Sequence, residues 1–232
     1  MHLIIVNKLY SSWSMRPWLV MKANEIPFEE TVIPMRQPDT KERIKAYSPT
    51  GLVPVLIDGE AVVWESVAII SHLADRFPDK PIWPTASMAA RAHAKAISFE
   101  MHSGFRALRQ ACPMNLGKRF KTPELTDELR ADLTRLELLW RQTRDRFGKT
   151  GDYLFGAFSA ADAMFAPVVT RLDTYQLPVS EDTRAYMRTI LADPSFAEWK
   201  RQALAEPWLI PEYEVGHTIV ENFLTPAGKA SS

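Results

Sequence analysis

The 232-residue sequence predicts a mixed α/β domain of order β-α-β-α-β-β-α followed by an all-helical domain. Short apolar runs alternate with helix-like runs up to about residue 76. Three prolines, Pro78, Pro81 and Pro84, then crowd the segment 77–85, which stops a helix and stiffens the chain. Beyond them the strand signals vanish. The boundary therefore falls in the proline segment, giving domains 1–80 and 86–232.

Each element has its own signal. Residues 3–6, Leu-Ile-Ile-Val, read as a buried strand. Residues 14–23 read as a helix with Ser14 as N-cap and Pro17 in the first turn. Residues 28–33 form a second strand and 40–47 a short polar helix. Residues 53–57 and 61–64 flank Asp58-Gly59-Glu60 as a hairpin. Residues 65–76 form a helix whose Ala68, Ile69 and Leu73 share one face. This order suits a mixed sheet with helices on both faces. Residues 86–115 read as one long Ala-rich helix ending near Pro113. Thr122-Pro123-Glu124 opens another, carrying Leu125, Leu129, Leu133, Leu136, Trp140 and Phe147 at helical spacing. Ser159-Ala160-Ala161-Asp162 reads as a capping-box start to a buried helix over 163–172 that carries Pro167. Residues 181–191 and 194–204 are two more helices. The last twenty or so residues, ending Lys229-Ala230-Ser231-Ser232, read as irregular.

Composition narrows the function. Hydrophobic residues make up 46% and charged residues 24%, enough for a sizeable core and unlike a disordered or fibrous chain. Lys+Arg and Asp+Glu are 28 each, without the basic excess that marks a nucleic-acid binder. The single Cys112 excludes an internal disulfide and a cysteine-based zinc cluster, and suits a reducing cytoplasm. It reads as a buried small apolar residue. The five histidines, at 2, 72, 93, 102 and 217, show no pair at ligand spacing, so no metal is expected. The first apolar run is too short for a signal peptide, and none spans a membrane. A soluble cytoplasmic protein without nucleic-acid or membrane partners is the expectation.

Three segments carry possible chemistry. Tyr10-Ser11-Ser12-Trp13-Ser14 sets hydroxyls between the first strand and the first helix. Ligands of open α/β sheets bind there, and free N–H groups with a helix dipole stabilise a thiolate. An ordinary N-cap and two loop serines explain the same residues. Val53-Pro54 starts a strand; a cis bond there would expose the Val53 backbone for pairing with an extended peptide, and a trans bond would make it an unremarkable strand start. Glu65-Ser66 opens a helix after a strand, where a carboxylate and an ammonium could be gripped together, or where a Ser cap follows a solvated Glu.

In this order, within one β-α-β-α-β-β-α unit before a helical domain, the three segments resemble the cytosolic glutathione S-transferase family. Residues 41–77 are the most specific part, and Ser159, Asp162 and Pro167 match the family's helical-domain capping motif. The resemblance implies a thioredoxin-like N-terminal domain, glutathione as co-substrate and a cytoplasmic homodimer acting in detoxification. It implies that Val53, beside a cis Pro54, pairs with the cysteinyl part. It assigns Glu65 and Ser66 to the γ-glutamyl end, and a hydroxyl to the sulfur. The Ser-Ser-x-Ser-x-Arg stretch is similar to serine-type classes, including the zeta class with its Ser-Ser-Cys-Ser-Trp-Arg loop. That match puts the catalytic hydroxyl at Ser11, with Ser12 beside it and Tyr10 ranked below both. Arg16 is expected in a structural ion pair. Met101, His102, Phe105 and Arg106 are expected to line the pocket for a small electrophilic second substrate.

Two departures bear on the alternatives. Trp13 stands where the zeta class has cysteine, which argues against thiol exchange. The arginine that class carries after the helix proline would fall at Thr174, whereas Arg171 lies about a turn earlier. The expected activity is therefore glutathione transfer, with maleylacetoacetate isomerase as the alternative. A non-catalytic binding protein of the same fold is a third reading, against which the intact Val53-Pro54 and Glu65-Ser66 elements count.

Overall fold

The structure, a computed structural model, describes residues 1–214 and 216–224. Strands β1 (His2–Val6), β2 (Glu29–Ile33), β3 (Val55–Asp58) and β4 (Ala61–Trp64) form one sheet in the order β2-β1-β3-β4. β1 and β2 are parallel, so a crossover helix, α1 (Ser12–Ala23), must join them; β3 is antiparallel to both its neighbours. The β3–β4 hairpin turns at Gly59, whose φ of 61° is the left-handed region that glycine enters at no steric cost. Side chains alternate across β1: Ile4 and Val6 join Ile33, Ile44 and Val55 under α2 (Thr40–Lys45), while Leu3 and Ile5 join the main core under α1 and α3 (Ser66–Arg76). Covered on both faces, β1 is apolar from Leu3 to Val6 rather than alternating.

The second half holds α4 (Met88–Ser103), α5 (Arg106–Ala111), α6 (Asp127–Phe147), α7 (Ala160–Thr174), α8 (Glu181–Leu191) and α9 (Pro194–Leu204). α7 is its axis. Every residue of α7 except Asp173 is buried, and the helix packs on α1, α4 and α8. One apolar core spans both halves, joining Trp18 and Leu19 of α1 to Phe165 of α7 and Trp199 of α9. The expected capping box is present at the start of α7. The buried Asp162 carboxylate accepts from the Ser159 N–H and hydroxyl, both at 2.9 Å. It also takes the Leu154 N–H and the Tyr186 hydroxyl, both at 3.1 Å.

The structure corrects several boundaries. α1 starts two residues before the expected helix and is capped by Ser11, not Ser14, so Pro17 lies inside the helix rather than in its first turn. The long helix expected over 86–115 is two helices. At Gly104 a β-carbon would meet the Glu100 carbonyl oxygen at 2.7 Å, and Phe105 follows with a left-handed φ of 54°. The cap of α6 is Thr126, which accepts from the Leu129 N–H, so Thr122-Pro123-Glu124 and Leu125 precede the helix. The second half is not wholly helical. β5 (Lys118–Phe120) and β6 (Ile219–Asn222) pair antiparallel, where the sequence shows no strand signal and predicts an irregular end of the chain. The irregular ending expected at Lys229-Ala230-Ser231-Ser232 lies outside the described residues.

Asp162→Ala strips the acceptor from four buried donors, each costing about 1–3 kcal/mol when left unpaired. Urea unfolding is expected to show a loss of roughly 3 kcal/mol or more, with a smaller loss for Asp162→Asn. A loss below about 1 kcal/mol would mean that the capping box does not anchor the helical half.

Candidate functional site

The β1–α1 connection opens at the junction of the two halves, and its hydroxyls have different partners. The Ser11 oxygen accepts from the Ser14 N–H at 3.3 Å, and its proton goes to the Ser14 hydroxyl oxygen at 2.8 Å. Ser12 is the first helical residue, and its oxygen accepts from an Arg171 terminal nitrogen at 3.3 Å. The Trp13 ring lies 4.2 Å from the Arg16 guanidinium carbon and 5.2 Å from that of Arg109. Arg16 is fully buried without the expected ion pair. It donates to the Met164 and Ser12 carbonyls at 3.1 and 3.2 Å, and no carboxylate pairs with it among the described residues. Burial, with the charges of Arg171 and Arg109, holds its pKa well below the ordinary guanidinium value.

A cavity of about 760 Å³ lies on this connection, walled by Ser12, Trp13, Arg106, Arg109, Arg171 and Tyr213 among others. None of these three arginines has a carboxylate partner among the described residues. Arg109 donates to the His102 and Gly104 carbonyls at 3.5 and 3.3 Å. Arg171 is buried, and its pKa is lowered to about 10 by that burial and by Arg109. The cavity thus carries three guanidinium groups against one lining carboxylate, Glu212, which pairs with Arg36 at 3.2 Å, so its net potential is positive.

Trp13, Leu52 and Val53 also wall a second cavity of about 300 Å³, closed by Glu65, Ser66 and His102. The Val53–Pro54 bond is cis. Val53 precedes the first paired residue of β3 and makes no backbone hydrogen bond among the described residues. Ser66 opens α3, is 1% exposed, and its hydroxyl has no partner. A buried, unpaired hydroxyl at a helix N-terminus facing a cavity is a seat for an anion. Glu65 sits at the cap position with φ 71°, its carboxylate 3.6 Å from the His102 ring. Burial lowers the His102 pKa, which favours the neutral ring beside Glu65 over a cation.

The structure therefore brings Ser11 and Ser12 together at one end of a cleft, and Val53, Pro54, Glu65 and Ser66 at the other. Of the residues expected in the second-substrate pocket, His102 lies in the smaller cavity, while Met101 and Phe105 are core residues that line neither. The break at Gly104 turns Phe105 inward and presents Arg106 and Arg109 of α5 instead. Tyr10 is engaged elsewhere: its hydroxyl donates to Glu214 at 2.5 Å and accepts from the Ile210 N–H at 3.3 Å. Burial and that carboxylate push its pKa up. Burial raises the Cys112 thiol to about 12, as suits a packed apolar residue. Arg109 and Tyr213 carry no signal in the sequence, and Arg171 joins the site although it lies a turn before the position expected for it. Tyr213 belongs to a strap held by Glu214, which also accepts from the Asn115 amide at 3.0 Å and from Lys118.

Comparison with known proteins places this geometry in context. Residues 10–76 match the glutathione S-transferase N-terminal domain, and residues 100–201 the glutathione S-transferase C-terminal domain. A probable maleylacetoacetate isomerase of Caenorhabditis elegans is 26% identical over 184 residues, 74% of this chain and 81% of its own. A zeta-class glutathione S-transferase of Euphorbia esula is 28% identical over 189 residues, with the same coverage. A Burkholderia glutathione transferase homolog, solved with bound glutathione, superposes with a TM-score of 0.66 at 22% identity, covering 88% of this chain and 98% of its own. A bacterial maleyl pyruvate isomerase of the zeta class gives 0.67 at 20% identity, covering 89% and 99%.

Tyr10→Phe leaves the buried Ile210 N–H without its acceptor and removes one donor from Glu214. Hydrogen exchange at β6 is expected to quicken and stability to fall by about 1–3 kcal/mol. Unchanged exchange there would show that the strap is held without Tyr10.

Proposed function

The chain belongs to the glutathione S-transferase family, and from that premise we propose a transferase that holds glutathione along Val53, Glu65 and Ser66 and joins its sulfur to a small electrophile. The orphaned Ser66 hydroxyl carries the reading. It fits the γ-glutamyl carboxylate at the N-terminus of α3, while the Glu65 carboxylate fits the ammonium beside it. The unpaired Val53 backbone fits an extended peptide lying as an added strand. Glutathione supplies a thiol that reacts as its thiolate, and the free thiol, with pKa near 8.5, is only a few per cent ionised at neutral pH. The chain's part is to favour that charge, through a serine hydroxyl, the N-terminus of α1 and the nearby guanidinium groups.

The isomerase reading gains from one observation. Arg171 reaches the Ser12 hydroxyl although it lies a turn before the expected position, while Thr174 donates to the Asn115 carbonyl at 3.0 Å, away from the cavity. Arg106, Arg109 and Arg171 would attract an acidic acceptor of the maleylacetoacetate kind. Comparing turnover of maleylacetoacetate with that of a neutral electrophile separates the two readings: a strong preference for the diacid supports isomerase, and the reverse supports general transfer.

A homodimer fits the apolar side chains left open on β4 and α4, among them Val62, Trp64 and Phe99. Sedimentation at micromolar concentration tests it, and a monomer would reject it. A cytoplasmic role in detoxification fits a single buried thiol and a wide cavity.

Ser66→Ala removes a donor to a charged partner, a bond worth roughly 1.5–3 kcal/mol. Glutathione affinity by calorimetry is expected to fall about tenfold or more with folding retained. Equal affinity would take Ser66 out of the site, and no binding by the unaltered protein would remove the transferase reading.

A further inference from the structure

We propose that Ser12, positioned and polarised by Arg171, donates the hydrogen bond to the glutathione sulfur, and that Ser11 serves only as the helix cap. The inference rests on the glutathione reading of the site and goes beyond it by choosing the donor and adding a positioning residue.

A hydroxyl has one proton to give. That of Ser11 is spent on the Ser14 oxygen at 2.8 Å, and the Ser14 N–H occupies the Ser11 oxygen. Turning that proton toward a ligand would forfeit the bond to the Ser14 oxygen. Ser12 has the opposite arrangement. Its oxygen accepts from Arg171 at 3.3 Å, and its proton has no acceptor among the described residues. Ser11 and Ser12 both line the large cavity, and of the two only the Ser12 proton is free to turn to it.

Arg171 is built to hold that arrangement. Its Nε donates to the Cys112 carbonyl at 2.9 Å and one terminal nitrogen to the Pro167 carbonyl at 3.0 Å, which fixes the guanidinium plane. The other terminal nitrogen is left for Ser12. Both carbonyls are neutral, so no carboxylate cancels the charge, and a hydroxyl that accepts from a cation is a stronger donor in turn. Burial of an unpaired guanidinium costs stability, and an anionic sulfur beyond Ser12 relieves that cost. On ionisation of the thiol the proton leaves to water, and the Ser12 O–H and the Arg171 charge face the thiolate that remains.

The test follows thiolate absorbance of the glutathione complex against pH, with glutathione affinity measured by calorimetry at low pH, where the thiol is un-ionised. Ser12→Ala is expected to raise the bound-thiol pKa by about one unit, a tenfold fall in the thiolate-to-thiol ratio. Ser11→Ala should lower the melting temperature while moving that pKa by no more than a few tenths. Arg171→Met should raise the pKa and Arg171→Lys restore part of the shift. Combined with Ser12→Ala, Arg171→Met should add less than its single effect. A purely structural Arg171 would instead lower the melting temperature in both variants and leave the titration unmoved. If Arg171→Met does not fold, Ser12→Ala set against Ser11→Ala still decides. A pKa that rises with Ser11→Ala and stays with Ser12→Ala overturns the proposal. So does an ordinary thiol pKa in the wild-type complex, whereas wild-type protein that binds no glutathione overturns the reading beneath it.

Discussion

Two buried guanidinium groups cross the contact between α1 and α7 in opposite directions, and the site depends on that crossing. Arg16 leaves α1 to meet the Met164 carbonyl of α7, and Arg171 leaves α7 to meet the Ser12 hydroxyl of α1. Neither has a carboxylate partner, so their charges are settled by carbonyls and by the Trp13 ring rather than cancelled. Such an arrangement tolerates little movement, because a lost carbonyl would leave a cation both buried and unsatisfied. The N-terminus of α1, where negative charge is to be held, is thereby fixed against the most buried helix of the other half.

That crossing also explains how the two halves divide the work. The sheet and its hairpin place the Val53 backbone and the start of α3, features fixed by backbone geometry and suited to a constant tripeptide. The helical half lends side chains, above all Arg106 and Arg109 from the short α5. α5 exists because Gly104 and Phe105 break the chain away from α4. A shift of that break by one residue would move both arginines around the helix by about 100° and remake the larger cavity without moving Glu65 or Ser66.

The half whose structure is local was the legible half. The hairpin at Gly59, the helix beginning at Ser66 and the capping box at Ser159 each announce themselves within a few neighbouring residues, whereas the cis Pro54 follows only from the family resemblance. The expected cap of α1 differs from the observed one because Ser11, Ser12 and Ser14 all qualify by type, and only the extended backbone at Ser11, with φ −86° and ψ 91°, separates them. Arg171 was discounted by counting along the helix, yet an arginine side chain spans more than a helical turn, so chain position alone does not say what it touches. β5 and β6 are short, largely polar, and far apart in sequence, so neither shows a pattern until the other lies beside it.

The strap that carries Tyr213 has a consequence for how the molecule comes to exist. Its anchors join Tyr10 to Glu214 and β5 to β6, so one wall of the cavity is contributed some two hundred residues after the floor. On the ribosome the α/β unit can complete its sheet early, yet it must wait for nearly all the rest of the described chain before its cleft is enclosed. The nascent protein therefore passes through a stage in which the arginines lining the cleft stand open to water, and encloses that cleft only once Tyr213 and β6 have followed.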